Sequence, residues 1–168
     1  NHNVDLNRAV ALIRAAKTAG FDAVKVQCFD PEKMFRPGTF EEARHFPCPL
    51  IWVPELSLQA RGLGLEFGAT LFDIETTTSA IISKYLDFVK CSSYDLLRHD
   101  LIQSLVATGL PVILSTGMAT LDEIKAAAAH LPEEGSTLLH CVSLYPCPIE
   151  KANLARIGRI RAAFFPRF

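Results

Sequence analysis

Pro111-Val112-Ile113-Leu114-Ser115-Thr116-Gly117-Met118-Ala119-Thr120-Leu121-Asp122-Glu123-Ile124 is the stretch that decides the fold. It opens as a short apolar run, the signature of a strand buried in a parallel sheet. The run ends in Ser-Thr-Gly, where hydroxyls and backbone freedom arrive together. Thr120, with Glu123 three residues on, has the spacing of a capping box and predicts a helix start. A strand leading through hydroxyls and a glycine into a helix has the parts of an anion site. Hydroxyls donate, glycine admits close approach, and the helix end offers free N–H groups. The same parts also make an ordinary strand-to-helix turn, and this stretch alone does not separate the two.

Outward from it, the pattern repeats. Residues 5 to 19 show helical spacing at Leu6, Val10 and Ile13, with Asp5 as cap and Gly20 as stop. Ala23 to Phe29 reads as a strand with Lys25 and Gln27 on one face and Val24, Val26 and Cys28 on the other. Asp30 to Pro54 reads as a long irregular section with prolines at 31, 37, 47 and 49. Loops of that length are usually functional. Helices are expected over Leu56–Gly62, Thr76–Lys84, Asp100–Thr108, about 120–131 and Ala152–Phe164, and strands over Glu66–Phe72, Phe88–Ser93, 111–115 and Ser136–Val142. Five strands alternating with six helices predict a parallel α/β sheet. It would close either as an open doubly wound sheet or as a (β/α)8 barrel, which usually takes about 250 residues. No strand is followed by a glycine-rich dinucleotide fingerprint.

Composition narrows the function classes. The 168 residues are 49% hydrophobic and 21% charged, with a net charge of −1 and both signs interspersed. That balance fits a globular domain and argues against nucleic-acid or membrane-surface partners. No apolar run reaches the length of a membrane span, and no signal peptide is expected. The five cysteines include no CxxC pair, so reduced thiols and a cytoplasmic location are expected. Because the sequence begins at Asn1 rather than Met, it is expected to start inside a longer protein.

Polar residues gather at the C-terminal ends of the expected strands: Lys25 and Gln27, Thr70, Lys90 with Ser92 and Ser93, Ser115 with Thr116, and Ser143 with Tyr145. That rim is where α/β folds bind ligands. A strand lysine flanked by apolar residues must be paired or solvated. Two of them point to an anionic ligand, with a neighbouring carboxylate as the competing explanation. The histidines at 2, 45, 99, 130 and 140 lack metal-ligand spacing, and His140 reads as a hydrogen-bonded core residue. Cys28, Cys91 and Cys141 read as small buried hydrophobes rather than a soft-metal site. Arg156, Arg159 and Arg161 read as a solvated helix face.

Several motifs together resemble the sialic acid synthase family: Asn1-His2-Asn3, Ala23-Val24-Lys25-Val26-Gln27, Phe88-Val89-Lys90-Cys91-Ser92-Ser93, Leu114-Ser115-Thr116-Gly117-Met118 and His140-Cys141-Val142-Ser143-Leu144-Tyr145-Pro146. The resemblance covers nearly the whole chain. It implies a (β/α)8 TIM barrel, incomplete here, with residues 1–168 forming a partial synthase domain that supplies about strands two to six. It further implies condensation of phosphoenolpyruvate with N-acetylmannosamine or a related acylamino sugar, releasing phosphate. Lys25 and Lys90 would be catalytic. Thr70, Ser93, Ser115 and Ser143 would help hold phosphoenolpyruvate, and Gln27 and Tyr145 would face the sugar. A divalent metal, Mn2+ or Mg2+, would polarise the sugar aldehyde. Its histidine ligands and a catalytic glutamate would lie outside this sequence, and the full-length protein would be a homodimer. Three positions depart from the family pattern. Ser143 stands where many members have Asn, Val4 where Gly is usual, and Gly68-Ala69-Thr70-Leu71-Phe72-Asp73 lacks the Pro of the common Ser-Thr-Pro-Phe form. An imine-forming aldolase using Lys25 or Lys90, and a non-catalytic sugar- or phosphate-binding protein, are the alternatives.

Overall fold

The structure, a computed structural model, describes residues 2–36, 38 and 45–164. Asn1 of the first motif and Pro37 of the irregular section lie outside the described residues. Five parallel strands form one sheet: β1 (Ala23–Cys28), β2 (Glu66–Leu71), β3 (Phe88–Cys91), β4 (Val112–Ser115) and β5 (Ser136–Leu139). Their spatial order is β1-β2-β3-β4-β5, the same as their order in the chain. A doubly wound sheet needs a point where strand order reverses, and no reversal occurs among the described strands. Right-handed crossovers that always advance in one direction place their helices on one side of the sheet. The strand order therefore selects the singly wound alternative.

Among the described residues, the α-helices are α1 (Leu6–Thr18), α2 (Pro31–Met34), α3 (Val53–Gly62), α4 (Ile74–Thr77), α5 (Ala80–Tyr85), α6 (His99–Ala107), α7 (Leu121–Ala128) and α8 (Ala155–Phe164). Three differences from the sequence reading have local causes. The section from Asp30 to Pro54 holds α2, capped by the Asp30 carboxylate, and a single-turn 3-10 helix at Leu50–Trp52 that runs into α3. The one helix expected over Thr76–Lys84 is two. Asp73 caps α4 by accepting from Thr76 N–H at 2.7 Å, and Ser79 caps α5. Strand β3 ends at Cys91 because the Ser92 hydroxyl donates to Asp95 at 2.5 Å and turns the chain into a 3-10 turn at Ser93–Asp95.

One sheet face is apolar throughout. Val26, Ala69, Val89 and Val112 lie on it, as do Cys28, Leu71, Cys91 and Leu114, and the last seven of these are buried. They pack with Leu56, Leu101, Leu105 and Ile124 from the helices in one core. Each fully buried Leu or Ile contributes about 2 kcal/mol of apolar transfer. Ser57 on α3 is buried with them, and its hydroxyl donates to the Tyr85 carbonyl at 2.6 Å, so its burial leaves no polar group unpaired. Asp87 accepts from Phe67 N–H at 2.9 Å and pairs with Arg61 at 2.7 Å, pinning the start of β2 beside α3. These contacts hold its carboxyl below the usual range against the opposing pull of burial. The opposite face carries the polar side chains, and the site is built there.

Candidate functional site

Parallel pairing sets Gln27, Thr70, Lys90, Ile113 and Thr137 in one row across all five strands. Their side chains therefore share the polar face. One step toward the N-terminal end, Lys25, Gly68 and Phe88 form a second row. Gly68 is required there, since a Cβ would lie 2.2 Å from the Phe88 ring. The ring closes the floor of the site, and Phe88 is only 9% exposed.

The two lysines stand on β1 and β3, one on either side of β2. Crowding by protein atoms and the nearby Lys90 charge push the Lys25 ammonium down to about 8, although part of its surface meets solvent. Burial likewise lowers Lys90. Among the described residues, neither lysine has a carboxylate within salt-bridge distance; Lys25 reaches only the Val26 carbonyl, at 3.5 Å. Among the described residues, no neighbouring carboxylate accounts for either lysine. Beside Lys90 in the row, the Thr70 hydroxyl is buried and makes no hydrogen bond. A buried hydroxyl without a partner costs about 1–3 kcal/mol, and such groups in native proteins call for a missing partner.

The third part lies at Gly117. Its N–H donates to the Ser93 hydroxyl at 3.0 Å. A Cβ at this position would sit 2.4 Å from the Ser143 hydroxyl and 3.0 Å from that of Ser93. The missing side chain thus opens a cradle where the turns after β3, β4 and β5 meet. Ser115, 2% exposed, lies two residues beyond Ile113 on the polar face. The structure therefore brings Lys25, Gln27, Thr70, Lys90, Ser93, Ser115 and Ser143 to one face and its rim. Tyr145, in the turn after β5, is 92% exposed.

Some sequence expectations require correction. The capping box of α7 forms: Glu123 N–H donates to the Thr120 hydroxyl at 3.3 Å, and Thr120 N–H to the Glu123 carboxylate at 2.6 Å. That backbone bond holds the Glu123 carboxyl below its ordinary range. A carboxylate already occupies the helix start, so the open part of this turn is the Gly117 cradle and not the helix end. Thr116 is committed to the sheet, its N–H and its hydroxyl both donating to the Leu139 carbonyl. Ser92 is committed to Asp95. Arg156 is half-buried and donates to the Ala119 carbonyl, tying α8 to this turn instead of facing water. His140 fits the core reading, with Nε2 placed 2.8 Å from the Ala152 carbonyl.

The sequence reading missed two supports. Asp95, 8% exposed, receives Ser92 and lies 3.5 Å from Arg98, whose guanidinium also donates to the Phe72 carbonyl at 2.7 Å. This stitch joins the ends of β2 and β3. Phe29 and Phe72 meet edge-to-face at 5.3 Å, just past the ends of β1 and β2. Among the described residues, no three His, Cys, Asp or Glu side chains converge as metal ligands would. No described helix is long and apolar enough to cross a membrane.

A one-way parallel sheet whose strand ends collect two lysines, a buried hydroxyl and a serine–glycine cradle defines an α/β protein with a polar site at its strand ends. The chain belongs to the NeuB family, whose model matches residues 12–167. It is 33% identical to the N,N'-diacetyllegionaminic acid synthase of Legionella pneumophila, over 98% of this chain and 52% of that protein. It is 31% identical to the spore coat polysaccharide biosynthesis protein SpsE of Bacillus subtilis, over 98% of this chain and 48% of that one. Among solved structures, the N-acetylneuraminic acid (sialic acid) synthetase of Leptospira borgpetersenii superposes with a TM-score of 0.86 at 29% identity, covering 96% of this chain and 58% of that one. A truncated 3-deoxy-D-arabino-heptulosonate 7-phosphate synthase of Thermotoga maritima shares the fold, with a TM-score of 0.69 at 13% identity. The chain spans about half the length of the curated relatives it matches.

Proposed function

We propose that this chain is the phosphoenolpyruvate-binding part of a (β/α)8 barrel synthase, supplying about strands two to six. The whole protein would join phosphoenolpyruvate to N-acetylmannosamine or a related acylamino sugar, giving a nonulosonic acid and phosphate. The observation that carries this reading is the uncompensated Lys25–Lys90 pair beside the unpartnered Thr70 hydroxyl. Two cations on one sheet face with no carboxylate beside them among the described residues are costly unless an anion completes them, and a phosphorylated carboxylic acid supplies that charge.

In this reading Lys25 and Lys90 offset the phosphate and carboxylate charges of phosphoenolpyruvate, Thr70 donates its free hydroxyl, and Ser93, Ser115 and Ser143 fix the anion's oxygens. The bound methylene carbon is then held against the sugar aldehyde, with Gln27 and Tyr145 assigned to the sugar. Carbon–carbon bond formation leaves a cationic C2 centre; water adds there, and the tetrahedral intermediate expels phosphate. The described residues do not by themselves fit a divalent metal, so its ligands, like the catalytic glutamate, are assigned to the remainder of the whole protein. Bound there, Mn2+ or Mg2+ would polarise the aldehyde as a Lewis acid. A homodimer and a cytoplasmic setting belong to the same proposal.

The test is Lys90→Ala in the whole protein. Loss of a preorganised cation costs about 2–4 kcal/mol of transition-state stabilisation, and Ser115→Ala costs roughly half as much. Unchanged phosphoenolpyruvate efficiency in Lys90→Ala would sink the assignment. One observation favours a second reading. At about 8, the Lys25 amine is partly neutral near physiological pH, as imine formation requires. Borohydride trapping with a carbonyl substrate separates the two, because the synthase route forms no imine.

A further inference from the structure

On the apolar face of the sheet, away from Lys25 and Lys90, two thiols meet. Cys28 ends β1, opposite Leu71 of β2, and Cys48 comes from the section between α2 and α3. Each is 2% exposed, and both belong to the one core. The backbone builds their contact. Cys48 N–H donates to the Gln27 carbonyl at 2.7 Å. Chains bonded this way run about 4.8 Å apart, inside the roughly 4.4–6.8 Å between Cα atoms that a disulfide requires. Pro47 and Pro49 flank Cys48. A proline after a residue holds that residue extended, so the position of Cys48 is set before any bond forms. The thiols stand within hydrogen-bonding reach of each other. That bond first, and burial second, push the Cys28 thiol up. It therefore stays protonated at rest and is shielded from casual thiolate chemistry.

We propose that Cys28 and Cys48 form a redox clasp: a peroxide converts them to a disulfide that fastens the section after β1 to the end of that strand, and thiol reductants reopen it. In the first step one thiol sulfur takes an oxygen from peroxide and becomes a sulfenic acid, while the peroxide is reduced to water. The second sulfur then attacks the first. The S–O bond breaks, and the hydroxyl leaves with the second thiol's proton as another water. Two thiols and one peroxide thus give one disulfide and two waters. Hydrogen peroxide is small and uncharged, which suits a buried pair. The preset contact lets the second sulfur capture the sulfenic acid before more peroxide reaches it. The closed ring would run from Cys28 through α2 to Cys48. The clasp does not rest on the synthase reading, because its thiols lie on the sheet face opposite Thr70 and Lys90.

The experiment uses the whole protein with Cys147→Ser, which removes an exposed thiol. The protein is treated with hydrogen peroxide, its remaining thiols are alkylated after denaturation, and its peptides are mapped by mass spectrometry. The expected product is a Cys28–Cys48 linked peptide, about 2 Da lighter than the two thiol peptides together. The melting temperature should rise by about 5 °C, since the bond closes a loop that the unfolded chain otherwise leaves free. Dithiothreitol should reverse both changes. Cys48→Ala should abolish both, and mapping the native pair needs no altered core residue to fold. Recovery of Cys28 and Cys48 unlinked after peroxide would overturn the clasp. So would linkage of either one to Cys91 or Cys141, or a linked pair with no rise in melting temperature.

Discussion

Replacing Gly117 by alanine separates the fold from the function. A Cβ at this position would lie 2.4 Å from the Ser143 hydroxyl, 3.0 Å from the Ser93 hydroxyl and 3.3 Å from the Ser93 Cβ. Ordinary non-bonded contact is about 3.5 Å, so the Ser143 hydroxyl must retreat by roughly 1 Å. Serine can do this by changing rotamer, and the backbone at Gly117 lies outside the left-handed region, so alanine is tolerated there. The stability cost is therefore small, about 1 kcal/mol. Function is more exposed. A hydroxyl bonded to a charged group contributes about 1.5–3 kcal/mol, and a 1 Å displacement of a positioning group costs about 100-fold in rate. The expected result in the whole protein is a loss of about 100-fold in kcat/KM for phosphoenolpyruvate, with a near-native melting temperature. Phosphate release at saturating sugar with varied phosphoenolpyruvate measures the first, and thermal unfolding the second. A phosphoenolpyruvate efficiency within threefold of the parent would refute the cradle as the anion's seat.

Three further outcomes are expected. With Lys25 at about 8, the free protein carries its charge below that pH and loses it above. kcat/KM for phosphoenolpyruvate should therefore fall as pH rises through about 8, and Lys25→Met should remove that limb; a profile flat to pH 9.5 would exclude the role. Gly68→Ala drives a Cβ into a buried ring at 2.2 Å, and a ring cannot rotate away as a serine can. Its cost is about 3 kcal/mol, read as a lowered melting temperature. Val4 has a φ of 54° and is 41% exposed. Left-handed backbone costs a non-glycine residue about 1–2 kcal/mol, so Val4→Gly should raise the melting temperature despite loosening the unfolded chain.

Much of this was legible beforehand, for local reasons. All five strands fall where the apolar runs place them, and the Thr120–Glu123 capping box forms as its spacing predicts. Val4 is instructive: the family resemblance marks it as a departure from Gly, and its positive φ explains why Gly suits the position. The errors also had local causes. Ser79 is a second cap inside an apparently continuous helical pattern, and Ser92 spends its hydroxyl on Asp95. Lysines 25 and 90 could be read as candidates because cations on apolar strands stand out. The Gly117 cradle could not, because Ser93, Gly117 and Ser143 come from three separate turns and meet only once the sheet fixes them. The Phe29–Phe72 contact was hidden for the same reason.

The one-directional strand order has a kinetic consequence. Among the described strands, β2 to β5 each pair with the one made just before it, so none of these four waits for a distant partner. Sequential pairing keeps loop-closure entropy low at every step. During synthesis the nascent chain can add each strand to an edge that already exists. Gln27 and Thr70 would be side by side before Lys90 is made, and the cradle would close only when Ser143 emerges.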